Sequence, residues 1–553
     1  MKKQITRIAA ATVAFASAIA LAVAGAGSAI ADDITTADGS ITINAAAGTN
    51  AVDGHTFKAV QLATYNVDGI DQDANSNYKG VNVTTVSGLA TPIATAATAA
   101  GVSPLDATNP MASVVKQLTD SGSSPYSGNL RTFVTALAKD AAVTTALATA
   151  PSTTGTKDQA AFTDLPEGLY LIVDTTAVTA ANAYSTSIPM LVGTKINGHD
   201  LTDQTLGVVD VKNELPTLNK TLVSPSANAP FVGVGSDVEW NLTGSVPNYT
   251  GYTTYDYVIS DTLSAGLSYN ADKALTVTVG GKQLTPGTDY TLKSVVNADK
   301  STSLTVDLSA SIMKQTIGAP IVVDYHSTVT TDVKVIDDIL NNNAFLTYSN
   351  NPASDSHGTT VPVSKHLFTY GFNLLKQDKS TAKALAGAGF TVTQSGGTAP
   401  LTFSAAADST DGHYVYDPAG STTTLTTPAS GELAVGGLAP GTYTVQETVA
   451  PAGYTTGVLP SFTITITGNA TANANTSTQL SDGAPTYTFK GDTWGLSSWS
   501  DASATVTVDN VTSLAQLPLT GGAGIVLFGA IAVVLAATAG IVLIKAKKSE
   551  RSI

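Results

Sequence analysis

Residues 441–447 read Gly441-Thr-Tyr-Thr-Val-Gln-Glu447, a Thr- and Val-rich run entered through Ala439-Pro440. β-Branched and aromatic residues fit a pleated, half-buried surface, and Pro and Gly punctuate it, so the run reads as a strand after a turn. Similar runs recur at 40–44, 55–62, 168–173, 188–192, 237–242, 257–260, 344–348, 372–376 and 504–510. Gly, Asn and Pro break them at spacings that suit Greek-key sandwiches. The expected fold is all-β, three tandem Ig-like sandwich domains. Helical spacing enters only the first. There Leu130, Phe133, Val134 and Leu137 fall at i, i+3, i+4, i+7 of a helix expected over 129–150, with a shorter one over 111–118.

The two ends carry sorting information. Lys2, Lys3 and Arg7 precede an apolar run that closes on Ala29-Ile30-Ala31, the layout of a secretory signal peptide over 1–31. Near the other end, the uncharged run 524–544 is followed by Lys545, Lys547, Lys548 and Arg551. About 21 residues at ~1.5 Å each cross a hydrocarbon core of ~30 Å, and the basic tail marks the cytoplasmic side. Between the ends the expected domains are 32–211, 212–363 and 364–512, with 513–553 as sorting signal, transmembrane helix and tail.

The chain carries −15, while the signal contributes +3 and the tail a net +3, leaving −21 on the body. So acidic a body argues against nucleic acid as a partner. It has no cysteine, so an exported protein of this kind needs staples other than disulfides. Six scattered histidines show no ligand spacing, and no GxSxG, HExxH or P-loop occurs, so no metal, cofactor or enzymatic activity is expected.

Two domains share an unusual set: a lysine in the first strand, a carboxylate mid-domain and an asparagine in the last strand. These are Lys220, Asp261 and Asn342 in the second, and Lys376, Glu447 and Asn510 in the third. First and last strands of a sandwich can be neighbours, so lysine and asparagine are expected to touch. Burial lowers a lysine pKa and raises that of a carboxyl group. A neutral amine attacks a carboxamide that a protonated acid polarises, and ammonia leaves. The product is an isopeptide strap across a long loop. Spacing alone also permits lysines whose stems simply lie along the surface. No such set is found in the first domain, which is expected to be unbonded.

Resemblance narrows these readings. Leu517-Pro518-Leu519-Thr520-Gly521 resembles the LPxTG signal of Gram-positive surface proteins, which implies sortase cleavage between Thr520 and Gly521. The run 438–454, LAPGTYTVQETVAPAGY, resembles the E-box of Gram-positive pilins, with Val445 in place of the usual Leu. Phe372-x-Leu374-x-Lys376-x-Asp378 and Val506-x-Val508-x-Asn510 resemble the two ends of the same collagen-adhesin B-type domain. This implies a Lys376–Asn510 bond with Glu447 catalytic. Tyr257-x-Ile259-x-Asp261-Thr-Leu263 and Asn342-x-Ala344-x-Leu346-x-Tyr348 resemble a fimbrial isopeptide-forming domain. That implies Lys220 bonded to Asn342 with Asp261 catalytic, although Asn341 and Asn343 adjoin. The first domain matches more loosely, mostly through the turn Leu165-Pro-Glu-Gly-Leu-Tyr170.

The implied protein is a backbone pilin, a covalent homopolymer on the cell wall. Its implied partners are a pilin-specific and a housekeeping sortase, identical subunits, minor or tip pilins, peptidoglycan and a host ligand. Backbone pilins join through a lysine in a motif like VYPKN. Here Val208-Val-Asp-Val-Lys212-Asn213 stands in its place, lacking the Tyr-Pro pair, so Lys212 is the expected acceptor and Lys195 its rival. The chemistry asks for an exposed amine at an edge strand. The alternative is a wall-anchored adhesin that never polymerises, in which Trp494 or Trp499 could face a ligand. A tip pilin would carry a metal-dependent DxSxS motif, which Asp501-x-Ser503-x-Thr505 only imitates within an expected last strand.

Overall fold

The computed structural model describes residues 39–46, 48–119, 128–178, 183–202 and 204–517. The expected signal peptide, together with Pro518, Thr520, Gly521 and the apolar run, lies outside the described residues. No helix among the described residues is long and apolar enough to cross a membrane.

The chain is built of strands in five sheets among the described residues. In the first domain Gly39–Asn44 lies between Gln159–Leu165 (antiparallel) and Val208–Asp210 (parallel). Facing it is a second sheet formed by Thr56–Gln72, Tyr78–Thr85, Gly168–Asp174 and Met190–Gly193, with Ser152–Thr154 on one edge. Tyr170 and Ile172 point between the sheets, where Ile41, Ile43, Phe57 and Phe162 meet them. Leu169 and Leu171, on the opposite face by strand alternation, are covered by Ile93, Met111, Phe133 and Leu137 of the helices. This is why Gly168–Asp174 is buried on both faces.

The helical part differs from expectation. The stretch expected as one helix is two, Asn129–Ala138 and Ala141–Thr149, because the Asp140 carboxylate accepts from Ala142 N and Val143 N and starts a new helix. The short helix is Pro110–Gln117. A further helix, Ala90–Ala99, was not expected; its apolar content is mostly alanine, which leaves a weak stripe. The strand expected from 188 begins at Met190.

In the second domain one sheet runs through Asn219–Ser224, Asp237–Ser245, Pro320–Val329 and Thr276–Val279. The other runs through Thr291–Val296, Thr302–Asp307, Tyr257–Leu263 and Asp338–Ser349. Tyr257–Leu263 and Pro320–Val329 alternate buried and half-exposed residues with a period of two, so one face of each lines the core. The third domain opposes Glu432–Leu438, Val363–Asp378 and Thr505–Asn510 to a sheet containing Gly389–Gln394, Gly441–Val449, Ser461–Thr467 and Thr486–Lys490.

One strand belongs to both domains. Val363–Asp378 pairs with Asp338–Ser349 from Val363 to Thr369, then with Glu432–Leu438 from Tyr370 onward. Val232 N donates to Phe368 O and Val234 N to Gly437 O, both at 2.9 Å, so the second domain grips both sides of the junction. Gly436 is required there: a Cβ would lie 1.6 Å from the Val335 carbonyl oxygen.

Candidate functional site: two buried lysine–carboxylate–asparagine clusters

In the second domain Lys220 sits on Asn219–Ser224 and Asn342 on Asp338–Ser349, strands of opposite sheets. The expected neighbouring of first and last strands therefore fails here. The side chains meet instead across the core, beside Asp261 of Tyr257–Leu263. Lys220 Nζ donates to Asp261 Oδ2 at 2.5 Å and to Asn342 Oδ1 at 2.7 Å. All three residues are at most 4% exposed. Asn341 is half-buried and Asn343 exposed, so alternation turns only Asn342 of the three inward.

A fourth residue, absent from the sequence reading, completes the cluster. Tyr325 Oη donates to Asp261 Oδ2 at 2.7 Å and accepts from Asn342 Nδ2 at 2.8 Å. Lys220 Nζ is also 3.0 Å from that hydroxyl. Trp240 walls the site, its ring centroid 5.3 Å from Nζ, and its indole N–H is used by Ser327. Burial lowers the Lys220 pKa to about 8, opposed by the Asp261 charge. The signal for Tyr325 was its inward place in Pro320–Val329, beside the strand that carries Trp240, but buried aromatics are ordinary core residues and did not mark it.

In the third domain the expected adjacency holds. Val363–Asp378 and Thr505–Asn510 are parallel neighbours, with Lys376 opposite Val508 and Asp378 opposite Asn510. Lys376, Glu447 and Asn510 are all fully buried. Lys376 Nζ donates to Val508 O at 2.9 Å and lies 3.6 Å from Glu447 Oε2. Both carboxylate oxygens of Glu447 and both carboxamide atoms of Asn510 are buried without a hydrogen-bond partner. Burial pushes Lys376 down and Glu447 up, each opposed by the other's charge.

The ends of the quoted E-box are tied as well. Tyr443 Oη donates to Ala439 O at 2.6 Å, and Tyr454 Oη donates to Asp378 Oδ2 at 2.8 Å. Asp378 also accepts from the Thr381 hydroxyl, Thr381 N and Ser380 N, and these bonds, the hydroxyl's foremost, hold its carboxyl near pKa 2.

Comparison with known families fits this arrangement. Residues 234–352 match the model of the Gram-positive pilin backbone subunit 2, Cna-B-like domain. Residues 371–479 match a SpaA prealbumin-like fold domain, and 509–551 match the LPXTG cell wall anchor motif. Together these three matches support a sortase-assembled backbone pilin of Gram-positive bacteria. The pilin is an exported, cell-wall-anchored structural protein. No curated protein sequence matches it.

Solved structures similar to the pilin include the T6 backbone pilin of serotype M6 Streptococcus pyogenes. That pair is 19% identical over 87% of this chain and 99% of that one, with a TM-score of 0.49. Another is the Corynebacterium diphtheriae major pilin SpaA, at 19% identity, 79% and 97% coverage and a TM-score of 0.42. A third is BcpA of Bacillus cereus, at 15%, 86% and 100%, with 0.40.

The remaining expected sites of the pilin fall as follows. Leu517 packs on Val458, Leu496 and Val511. Lys212 follows Val208–Asp210, an edge strand, but is half-buried rather than exposed, and its backbone N–H donates to Ser187 Oγ at 2.9 Å. Lys195 is half-buried as well, with a side chain 43% exposed and its Nζ 3.2 Å from Asp200 Oδ2. Asp501–Ser503 forms a 3-10 turn before the last strand and not part of it. Trp499 packs on Tyr487 and Phe489, while Trp494 is 39% exposed.

Proposed function

We propose that this backbone subunit is stapled by two isopeptide bonds, Lys220–Asn342 and Lys376–Asn510, and joined to the next subunit from Thr520 to Lys212. The observation that carries the first part is the contact of buried Lys220 Nζ with Asn342 Oδ1 and Asp261 Oδ2. The amine gives its proton to the acid, which polarises the carboxamide. Nζ attacks Cγ, the acid gives its proton to the departing nitrogen, which leaves as ammonia, and the acid takes up the second proton that Nζ sheds on becoming an amide, so it ends protonated. In the third domain the same exchange supplies the hydrogen bonds that Glu447 and Asn510 lack. Leaving four such buried atoms unpaired costs about 1–3 kcal/mol each, more if charged. The new amide and a protonated Glu447 satisfy one another.

Intact mass tests the straps. Residues 32–520, expressed alone, should weigh two ammonia less than the sequence. Glu447→Ala or Asp261→Ala should each restore one. An unmodified mass sinks the reading.

The linkage rests on sequence position, and Lys212 stands eight residues before Lys220 at the end of an edge strand. Cell-wall extracts boiled in detergent should show a ladder that Lys212→Ala abolishes. A ladder that survives moves the site to Lys195. Monomer in wild type, still bound to the wall, favours the unpolymerised adhesin.

A further inference from the structure

The first and third domains repeat one another residue by residue. Each has a turn leucine, Leu165 or Leu438, followed three residues on by the strand glycine, Gly168 or Gly441. Each strand carries a tyrosine whose hydroxyl donates to the carbonyl four residues back: Tyr170 to Pro166 O at 2.5 Å, Tyr443 to Ala439 O at 2.6 Å. Four residues after the tyrosine comes an acid, Asp174 or Glu447. Each acid lies opposite a phenylalanine of the adjoining strand, Phe57 or Phe390.

The other sheet keeps the same register. Ile41 lies opposite Phe162 and Phe372 opposite Val435, each partner three residues before the turn leucine. Ala45 N donates to Asp158 O, and Lys376 N to Gly431 O, both at 2.8 Å and both to the residue seven before that leucine. On the parallel strand Ile43 lies opposite Val209 and Leu374 opposite Val506. Ala45 thus holds the place of Lys376, and Asn213, four residues after Val209, holds the place of Asn510.

We infer that the first domain contains a third isopeptide site that has lost its nucleophile: Asp174 is its acid, Asn213 its amide, and Ala45 stands where the lysine belongs. This rests on the isopeptide reading of the third domain. The basic side chain has moved to the adjoining strand. His55, two residues before Phe57, holds the place of Ala388, two before Phe390. Its Nδ1 lies 2.8 Å from Asp174 Oδ2. Lysine with alanine in one domain becomes alanine with histidine in the other, which keeps one basic group against the buried acid. Asp174 is further fixed by Ser187 N at 2.8 Å and Thr176 N at 3.0 Å. Asn213 Nδ2 donates to Ala51 O at 2.6 Å, while its Oδ1 is buried without a partner, as both carboxamide atoms of Asn510 are. His55 pairs with the acid and brings no primary amine to Asn213, so no strap forms.

The test is the exchange Ala45→Lys with His55→Ala in the full exported body. The introduced amine attacks Asn213 Cγ, Asp174 carries its proton to the leaving nitrogen, and ammonia departs. The expected result is a deficit of three ammonia where wild type shows two, with a cross-linked peptide joining positions 45 and 213. Adding Asp174→Ala should return the deficit to two. A folded exchange variant that stays at two overturns the inference alone. A wild-type deficit of zero removes the isopeptide reading, and this with it. If the exchange variant does not fold, the reciprocal Lys376→Ala with Ala388→His decides. It should leave a protease-resistant third domain and a deficit of one, and unfolding of that domain counts against the equivalence.

Discussion

At Tyr325 one hydroxyl touches all three reacting groups of the second domain, donating to Asp261 and accepting from Asn342 and Lys220. The third domain shows no such hydroxyl on its acid, whose oxygens stand unpartnered. Tyr325→Phe keeps the ring and removes only the hydrogen bonds. A bond to a charged group is worth about 1.5–3 kcal/mol, so the Lys220–Asn342 strap should form roughly ten- to a hundredfold more slowly. Timed mass spectra of freshly folded protein would show this, with the third-domain strap unchanged; an unaltered rate removes Tyr325 from the mechanism. In the third domain burial drives Lys376 down and Glu447 up, toward each other. The reactive pair, neutral amine with neutral acid, holds as many protons as the ion pair. Its formation rate should therefore be level near neutral pH. It should fall in acid, where the amine is protonated as well as the acid, and fall in base, where the acid is ionised. A rate that climbs steadily to the ordinary lysine pKa of about 10.4 would contradict this. Lysines, acids and asparagines were legible because their chemistry is rare in a core. Tyr325 was not, because an inward tyrosine is common.

Among elements, the strand Val363–Asp378 decides how the second and third domains meet, since it completes a sheet in each. The expected boundary between 363 and 364 falls at the start of this strand, whose residues carry no sign that it serves both sides. A strand's composition reports that it is half-buried, not which neighbours bury it. The same limit explains the first domain. Its helices with strong apolar stripes were legible, but alanine-rich Ala90–Ala99 was not, and the break at Asp140 looked like one polar position in a longer helix. Gly436 offers a test of the shared strand. Gly436→Ala drives a methyl into the Val335 carbonyl and should cost at least ~1–3 kcal/mol, lowering the melting temperature on the order of 5 °C. Gly457→Ala, where nothing lies within 4 Å, is the control and should change little. Equal melting of the two variants would mean that the joint yields freely.

Over the whole molecule, the two proposed straps and the shared strand form one load line. Tension entering at Lys212 reaches Lys220, crosses to Asn342 through the first strap, follows the chain into Val363–Asp378, and leaves from Lys376 to Asn510 through the second. Residues 221–341 and 377–509 hang off this line as closed loops. The first domain lies before Lys212 in the chain, so a subunit linked there has no need of a strap in it. That accords with an alanine at position 45. Pulling a single molecule between Lys212 and the spacer 513–517 should therefore extend neither loop, at any force short of breaking covalent bonds. Glu447→Ala should release 377–509, a gain of roughly 45 nm at ~3.4 Å per residue, and Asp261→Ala should release 221–341, roughly 40 nm. The double variant should show both steps. Extension of wild type by either length would mean that the corresponding strap is not in the load path. A wild type that yields only short steps would place the weak point at the ends of the line, where the spacer meets the third domain through Gln516 Nε2 on Ser380 Oγ at 3.0 Å and through Leu517.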